Sequence, residues 1–351
     1  MTRSNRGTPS AGRRGGILAI LPMAAALAMG SPEGAIAQAP EGVTGTVVVL
    51  NKGTASADFI DVASGRIVGT ARTSEGPHEL VVSPDGRTAV GTDYGGGGAG
   101  GSSLSVFDVA TAQRVRTIEL GRFTRPHGIA YLPEGDRVAV TSETTGTVIV
   151  VEVASGVIVE VLSTGANGSH MLGLTADGLT IWTGDIGSNT VTELNRSSGG
   201  KVRSFAAPAQ PEAVNVAPDG SRVFAGSNAT GRVTAWDTTT GEASTVGEGF
   251  GWPYRVFLTP GVEQIIIPDL RGEVLRFFDG ADYTELGSIP FPGDGPQGLV
   301  LHPDGRHLFL ALSASNRIAI VDIYERTVAG YLRVSGAGPD GIGFSSIPVG
   351  S

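Results

Sequence analysis

From about residue 46 onward the apolar residues come in runs of four to six, rich in valine and isoleucine, separated by short stretches of Gly, Pro, Asp and Ser. Runs of that length bounded by turn residues predict short antiparallel strands. Between residue 76 and the C-terminus the runs form a refrain repeated seven times. Each repeat has an anchor that is usually proline, a polar residue, an apolar run, a turn such as Ser83-Pro84-Asp85-Gly86-Arg87, and a second apolar run. The anchors are Pro77, Pro126, Ser169, Pro211, Pro253, Pro296 and Pro339, at intervals of 49, 43, 42, 42, 43 and 43 residues. A period near 43 built from short strands predicts an all-β fold, a seven-bladed β-propeller of four-stranded antiparallel blades.

The repeat at Pro126 sets the blade plan: strands over residues 127–131, 137–141, 147–151 and 157–162, counted from the channel outward. The ends of the chain complement each other. Residues 46–50, 57–60 and 66–71 supply three strands that lack an inner partner, and residues 338–347 supply an inner strand with no blade of its own. Joining them closes the ring and leaves no open sheet edge. Where the third strand turns into the fourth stand Asp61, Asp108, Glu152, Asn195, Asp237, Asp279 and Asp322. A column polar in every blade is expected to cap that turn through nearby backbone N–H groups.

The domain plan is a signal peptide over 1–37, a short linker over 38–42 and one propeller domain over 43–349. Arg3, Arg6, Arg13 and Arg14 precede an apolar stretch, and Ala35-Ile36-Ala37 supplies a cleavage site before Gln38. This reads as a secretory signal, removed on export, so the mature protein is expected in the periplasm or outside the cell, with no membrane insertion. The general secretory route is favoured, and Arg13-Arg14 leaves the twin-arginine route open. Cysteine is absent, which excludes disulfides, thiolate metal ligands and c-type haem attachment. Removal of the leader leaves 21 basic and 33 acidic residues, a net charge near −12 that makes nucleic acid a poor partner.

Phrases such as Val81-Val82-Ser83-Pro84-Asp85-Gly86-Arg87 and Arg317-Ile318-Ala319-Ile320-Val321-Asp322 resemble the YVTN-type seven-bladed propellers, a family of exported repeat proteins. The resemblance covers residues 43–349 and implies the fold. Similar propellers include lactonases, a lyase and proteins without known activity, so the resemblance implies no single reaction.

One column varies between blades. The residues directly after the anchors are His78, His127, His170, Glu212, Tyr254, Gln297 and Asp340, all polar and all opening strands that line the channel. Three of the five histidines fall here, on consecutive blades, followed by Glu212. Neighbouring positions spaced roughly 8–10 Å apart let imidazoles converge on one ion. His78, His127, His170 and Glu212 are therefore candidate ligands for Zn, Fe, Mn or Cu, since an oxygen-only Ca²⁺ site would not call for histidine. A polar ring in a wet channel mouth with no ligand is the plainer alternative.

Sixteen residues past the anchors stand Asp93, Ser142, Asp185, Ser227, Asp269 and Leu312, with Asn51 in the shared blade, and these are expected in loops facing the same mouth. Glu79 and Glu143 are the candidate general bases. Tyr94, Arg125, Tyr254, Arg255, Gln297 and Asp340 are candidate substrate contacts, the arginines for an anion. The insertion Gly95–Gly101 is expected beside His78, as a flap or a plain flexible loop. His302 and His307 are expected on the surface of the opposite face. Two functions stay open: a monomeric, non-catalytic scaffold binding a small molecule, metal or periplasmic protein, or a metal- or His/Glu-dependent hydrolase or lyase, lactonase-like, acting on a small anion. A redox subunit lacks the Cys-x-x-Cys-His it would use for covalent haem.

Overall fold

The computed structural model describes residues 39–350 except Gly97 and Ala99. The leader and its cleavage site lie outside the described residues. Within them the chain forms seven sheets of four antiparallel strands, and no helix. The repeat at Pro126 gives strands Pro126–Tyr131, Arg137–Ser142, Thr147–Glu152 and Ile158–Ser163. We number the blades from the anchor at Pro77, so that this is blade 2 and the shared blade is blade 7.

Blade 7 takes its inner strand, Pro339–Ser345, from the C-terminus and its other three, Thr46–Asn51, Ser56–Asp61 and Arg66–Arg72, from the N-terminal side. Thr46 lies opposite Ser345 and Val47 opposite Phe344. This pairing converts two unpaired sheet edges into one interior ladder, the device by which rings avoid exposed edges.

Middle strands such as Thr46–Asn51 and Gln264–Asp269 are buried along their whole length, because each blade is covered on both faces by its neighbours. Outermost strands alternate exposed and covered positions, as in Arg66–Arg72. The apolar side chains collect at the seams between blades. One seam joins Val90, Leu104 and Val106 of blade 1 to Ile129, Val138 and Ile149 of blade 2. Another joins Trp182 of blade 3 to Val214, Val223 and Trp236 of blade 4.

The turn column behaves as expected: Asp61 accepts the Ser64 N–H at 2.8 Å, Asp237 the Thr240 N–H at 2.7 Å and Asp322 the Glu325 N–H at 3.0 Å. Glu152 departs in detail, accepting from the Ser155 hydroxyl. His302 is not a surface residue. It is buried in the hairpin, with Nε2 3.2 Å from the Thr44 carbonyl and its ring 4.8 Å from Phe344, so it helps seat the closing strand.

Candidate functional site: a histidine cluster in the central channel

In blades 1–4 and 6 the inner strand slips register where the variable column sits; in blade 5 it shrinks to Phe257–Leu258, the anchor Pro253 keeps only an isolated bridge to Asp269, and Tyr254 opens no strand. The shifts fall between Pro77 and Leu80, Pro126 and Ile129, Ser169 and Leu172, Pro211 and Ala213, and Pro296 and Leu299. A bulge re-aims the extra side chain. Here the anchor stays paired to the second strand, while the next residue turns into the channel.

Three imidazoles meet there. His127 is fully buried and His78 and His170 nearly so. His127 Nε2 stands 3.2 Å from His78 Nε2, and the His127 ring centroid lies 4.1 Å from that of His78 and 3.5 Å from that of His170. Burial lowers the pKa of all three; His127 sits well below the usual range, helped by both neighbours, and His170 falls to about 3. These shifts favour the neutral rings, and the Nε2–Nε2 contact between His127 and His78 is a hydrogen bond whose donor depends on the tautomer. The three Nδ1 atoms are buried with no hydrogen-bond partner. His78 Nδ1 lies 3.0 Å from Asp340 Oδ2 and 3.3 Å from Glu79 Oε1, without hydrogen-bond alignment.

Carboxylates complete the hollow. His78, Glu79 and His127 place one ligand atom each within 4.8 Å of one another. Glu212 Oε1 is 3.8 Å from His170 Nε2, and Asn228 Nδ2 donates to the other oxygen of that carboxylate. Burial raises the Glu212 pKa. Asp340 accepts the Tyr254 hydroxyl at 2.9 Å, and Lys52 Nζ lies 3.8 Å away. Burial alone would raise the Asp340 pKa, but His78, Lys52 and Arg255 outweigh it and hold it below the usual carboxylate range. Arg255, lowered to about 10 by burial, donates Nη1 to the Tyr254 carbonyl at 2.6 Å and Nη2 to Glu79 across the channel. Below this ion pair lies a cavity of about 170 Å³ walled by Leu80, Leu172, Val256 and Leu299.

The expected ligand positions thus converge, and the tightest trio takes Glu79 where Glu212 was expected; His170 and Glu212 form an adjoining pair. Glu143 sits at the rim, tied to the Tyr94 hydroxyl at 2.8 Å and to Arg125 at 3.6 Å. Arg125 donates to the same hydroxyl at 2.9 Å, and the Tyr94 ring meets His78 and His127 edge-on at 5.4 Å. Gln297 opens the inner strand of blade 6 half-buried.

The column sixteen past the anchors does not face the mouth. Asp93 accepts from Ser103 and Ser105, Asp185 from Ser169 and Thr192, and Asp269 from the N–H groups of Gly251 and Trp252. These are buried joints within blades. Two residues escaped sequence reasoning. Asn228 stands in the column of Tyr94 and Glu143, which could have signalled it. Trp252, whose indole N–H acts on the Glu212 carboxylate, is the one aromatic residue directly before an anchor.

No protein-family model matches the chain, and no curated protein does. Solved structures do match. One is hydrazine synthase of Kuenenia stuttgartiensis, 19% identical with a TM-score of 0.69, covering 84% of this chain and 99% of that one. Another is a functionally unknown protein from Desulfotomaculum acetoxidans, 13% identical with a TM-score of 0.69, covering 87% of this chain and all of that one. The likeness is one of fold. At these identities neither neighbour's activity carries over to the channel described here.

Proposed function

We propose that this is an exported YVTN-type propeller that binds a divalent transition metal at the mouth of its channel. His78, His127 and Glu79 are the first ligands, His170 and Glu212 adjoin them, and a small polar molecule or a periplasmic protein docks above. The observation that carries the reading is the 3.2 Å separation of two buried Nε2 atoms on neutral imidazoles. Two imidazoles bound to one ion at ~2.1 Å hold their nitrogens about 3.4 Å apart at the tetrahedral angle. Mixed imidazole and carboxylate ligands suit Zn, Fe, Mn or Cu.

Elemental analysis of the protein purified from the host that exports it is expected to find about one equivalent of such a metal. A folded His127→Ala variant is expected to lose it. Protein that arrives without metal and gains no thermal stability on adding Zn²⁺, Mn²⁺, Fe²⁺ or Cu²⁺ overturns the reading. The same sample addresses export, because the mature chain should begin at Gln38.

One observation favours a second reading, a hydrolase or lyase on a small anion. Tyr94, Glu143 and Arg125 form a hydrogen-bonded set in ring contact with His78 and His127, and such a set can orient an anion and move a proton. Turnover of a lactone or phosphoester that Glu143→Gln abolishes while metal content holds would select it.

A further inference from the structure

Among 25 basic residues the chain has two lysines, Lys52 and Lys201. Lys201 is exposed on the outermost strand of blade 3, Gly200–Ala206. Lys52 follows strand Thr46–Asn51 and reaches back into the channel mouth to Asp340. Every other ion pair among the described residues draws its cation from arginine or histidine. Arginine would grip Asp340 better, because its planar fork matches a carboxylate in two bonds and an ammonium is a single point of charge. An amine differs from a guanidinium in one further respect: once deprotonated it is a nucleophile.

The surroundings fit that use. The Lys52 side chain is 42% exposed at the mouth, whereas Asp340 beneath it is 1% exposed. Tyr254 donates to Asp340 at 2.9 Å, which fixes the carboxylate that faces the amine. Asp340 in turn lies 3.0 Å from His78 Nδ1, which puts the amine next to the histidine cluster. Burial, then Arg255, lowers its pKa against the pull of Asp340 and Glu212.

We propose that Lys52 is a reactive amine that captures small carbonyl compounds as imines at the channel mouth. Nζ adds to the carbonyl carbon, forming the C–N bond. The oxygen then leaves as water while C=N replaces C=O, with no oxidant or reductant involved. The inference uses the same hollow as the proposed metal but not the metal, and a chelator present throughout separates the two.

The test is reductive trapping. The native protein, with EDTA, is treated with sodium cyanoborohydride and either glyoxylate or glycolaldehyde, then digested and mapped by mass spectrometry. Labelling of Lys52 is expected to exceed that of Lys201 severalfold in the native protein. Unfolding in urea should erase the preference, and Lys201→Arg should leave the extent of labelling at Lys52 unchanged. Preference with glyoxylate alone assigns an oxo-acid ligand, and preference with both probes assigns carbonyls in general. Equal labelling of the two lysines in the native protein, or none at Lys52, overturns the proposal.

Discussion

Arg255 and Glu79 meet across the channel from blades 5 and 1, 176 residues apart in the chain. Both side chains are about nine-tenths buried. A buried pair is sensitive to loss of one member, since the survivor is left charged without a partner. Arg255→Leu is expected to destabilise by about 3–5 kcal/mol in urea unfolding, and adding Glu79→Gln should recover part of that loss; equal stability of both variants would show that the pair is not buried in solution. Asp93 makes a different prediction. Burial raises its carboxyl from 3.8 to about 6 despite the Ser103 and Ser105 hydroxyls. Between those pH values the folded state binds a proton that the unfolded state has lost, so its contribution to stability falls as pH rises. The slope within that window is about 1.4 kcal/mol per pH unit. Asp93→Asn should remove it, so the stability of the variant relative to the parent is higher at pH 7 than at pH 4.5. The two cases differ in legibility. Seven repeats place His78, His127 and His170 in one column from sequence alone, because the column is read down equivalent positions. The Arg255–Glu79 pair joins unlike residues of distant blades, and nothing in the repeat announces it. The buried role of Asp93 was equally hidden, because an acidic residue at a strand end reads as a loop residue until its hydroxyl partners are known.

Outside blade 5, whose inner strand starts only at Phe257, the repeat placed the inner strands to within a residue or two, yet the feature that turns their first polar residues inward was not visible. A bulge is a mismatch between two strands, and the sequence of one strand does not state its partner's register. The same strands pack more closely than ordinary neighbours. A Cβ on Gly341 would stand 2.3 Å from the His78 carbonyl, and one on Gly298 would stand 2.1 Å from the Asp340 carbonyl. Both partner atoms are backbone, so the strands themselves must move to make room. Gly341→Ala should push strand Pro339–Ser345 away from strand Pro77–Val82, costing about 1–3 kcal/mol as overpacked interiors do. It should also widen the gap between Asp340 and His78. Calorimetric titration with Zn²⁺ would then show weaker binding than in the parent, although no proposed ligand has changed. Unaltered affinity would mean that the cluster tolerates a wider ring.

Closure of the ring is the property of the whole molecule on which the channel depends, and it rests on one strand. Blade 7 draws Pro339–Ser345 from the far end of the chain, and its neighbours hold that strand in place. Phe344 stacks on Phe309 of blade 6 with centroids 5.9 Å apart and planes within 6°. Thr46 Oγ1 donates to the Ile347 carbonyl at 2.8 Å, and Ser345 Oγ to the Gly86 carbonyl of blade 1 at 2.7 Å. A chain ending at residue 337 keeps six complete blades and the outer three strands of the seventh, but it exposes the ladder edge of Thr46–Asn51. It also removes Asp340 from the histidine cluster. An unpaired edge of that length is a template for association, so the truncated protein should elute as oligomers and lose a cooperative unfolding transition. A synthetic peptide spanning residues 338–349 should restore the parent's elution position, because it carries Phe344, Ser345 and Ile347 with every contact named above. Phe344→Ala in the full-length chain separates closure from chain length: it keeps the strand and removes only its aromatic seat, and should cost about 2–4 kcal/mol. If the truncated chain instead runs as a monomer and unfolds at the parent's midpoint, the ring is held shut by the packing of its seams, and the paired termini contribute only the Asp340 corner of the site.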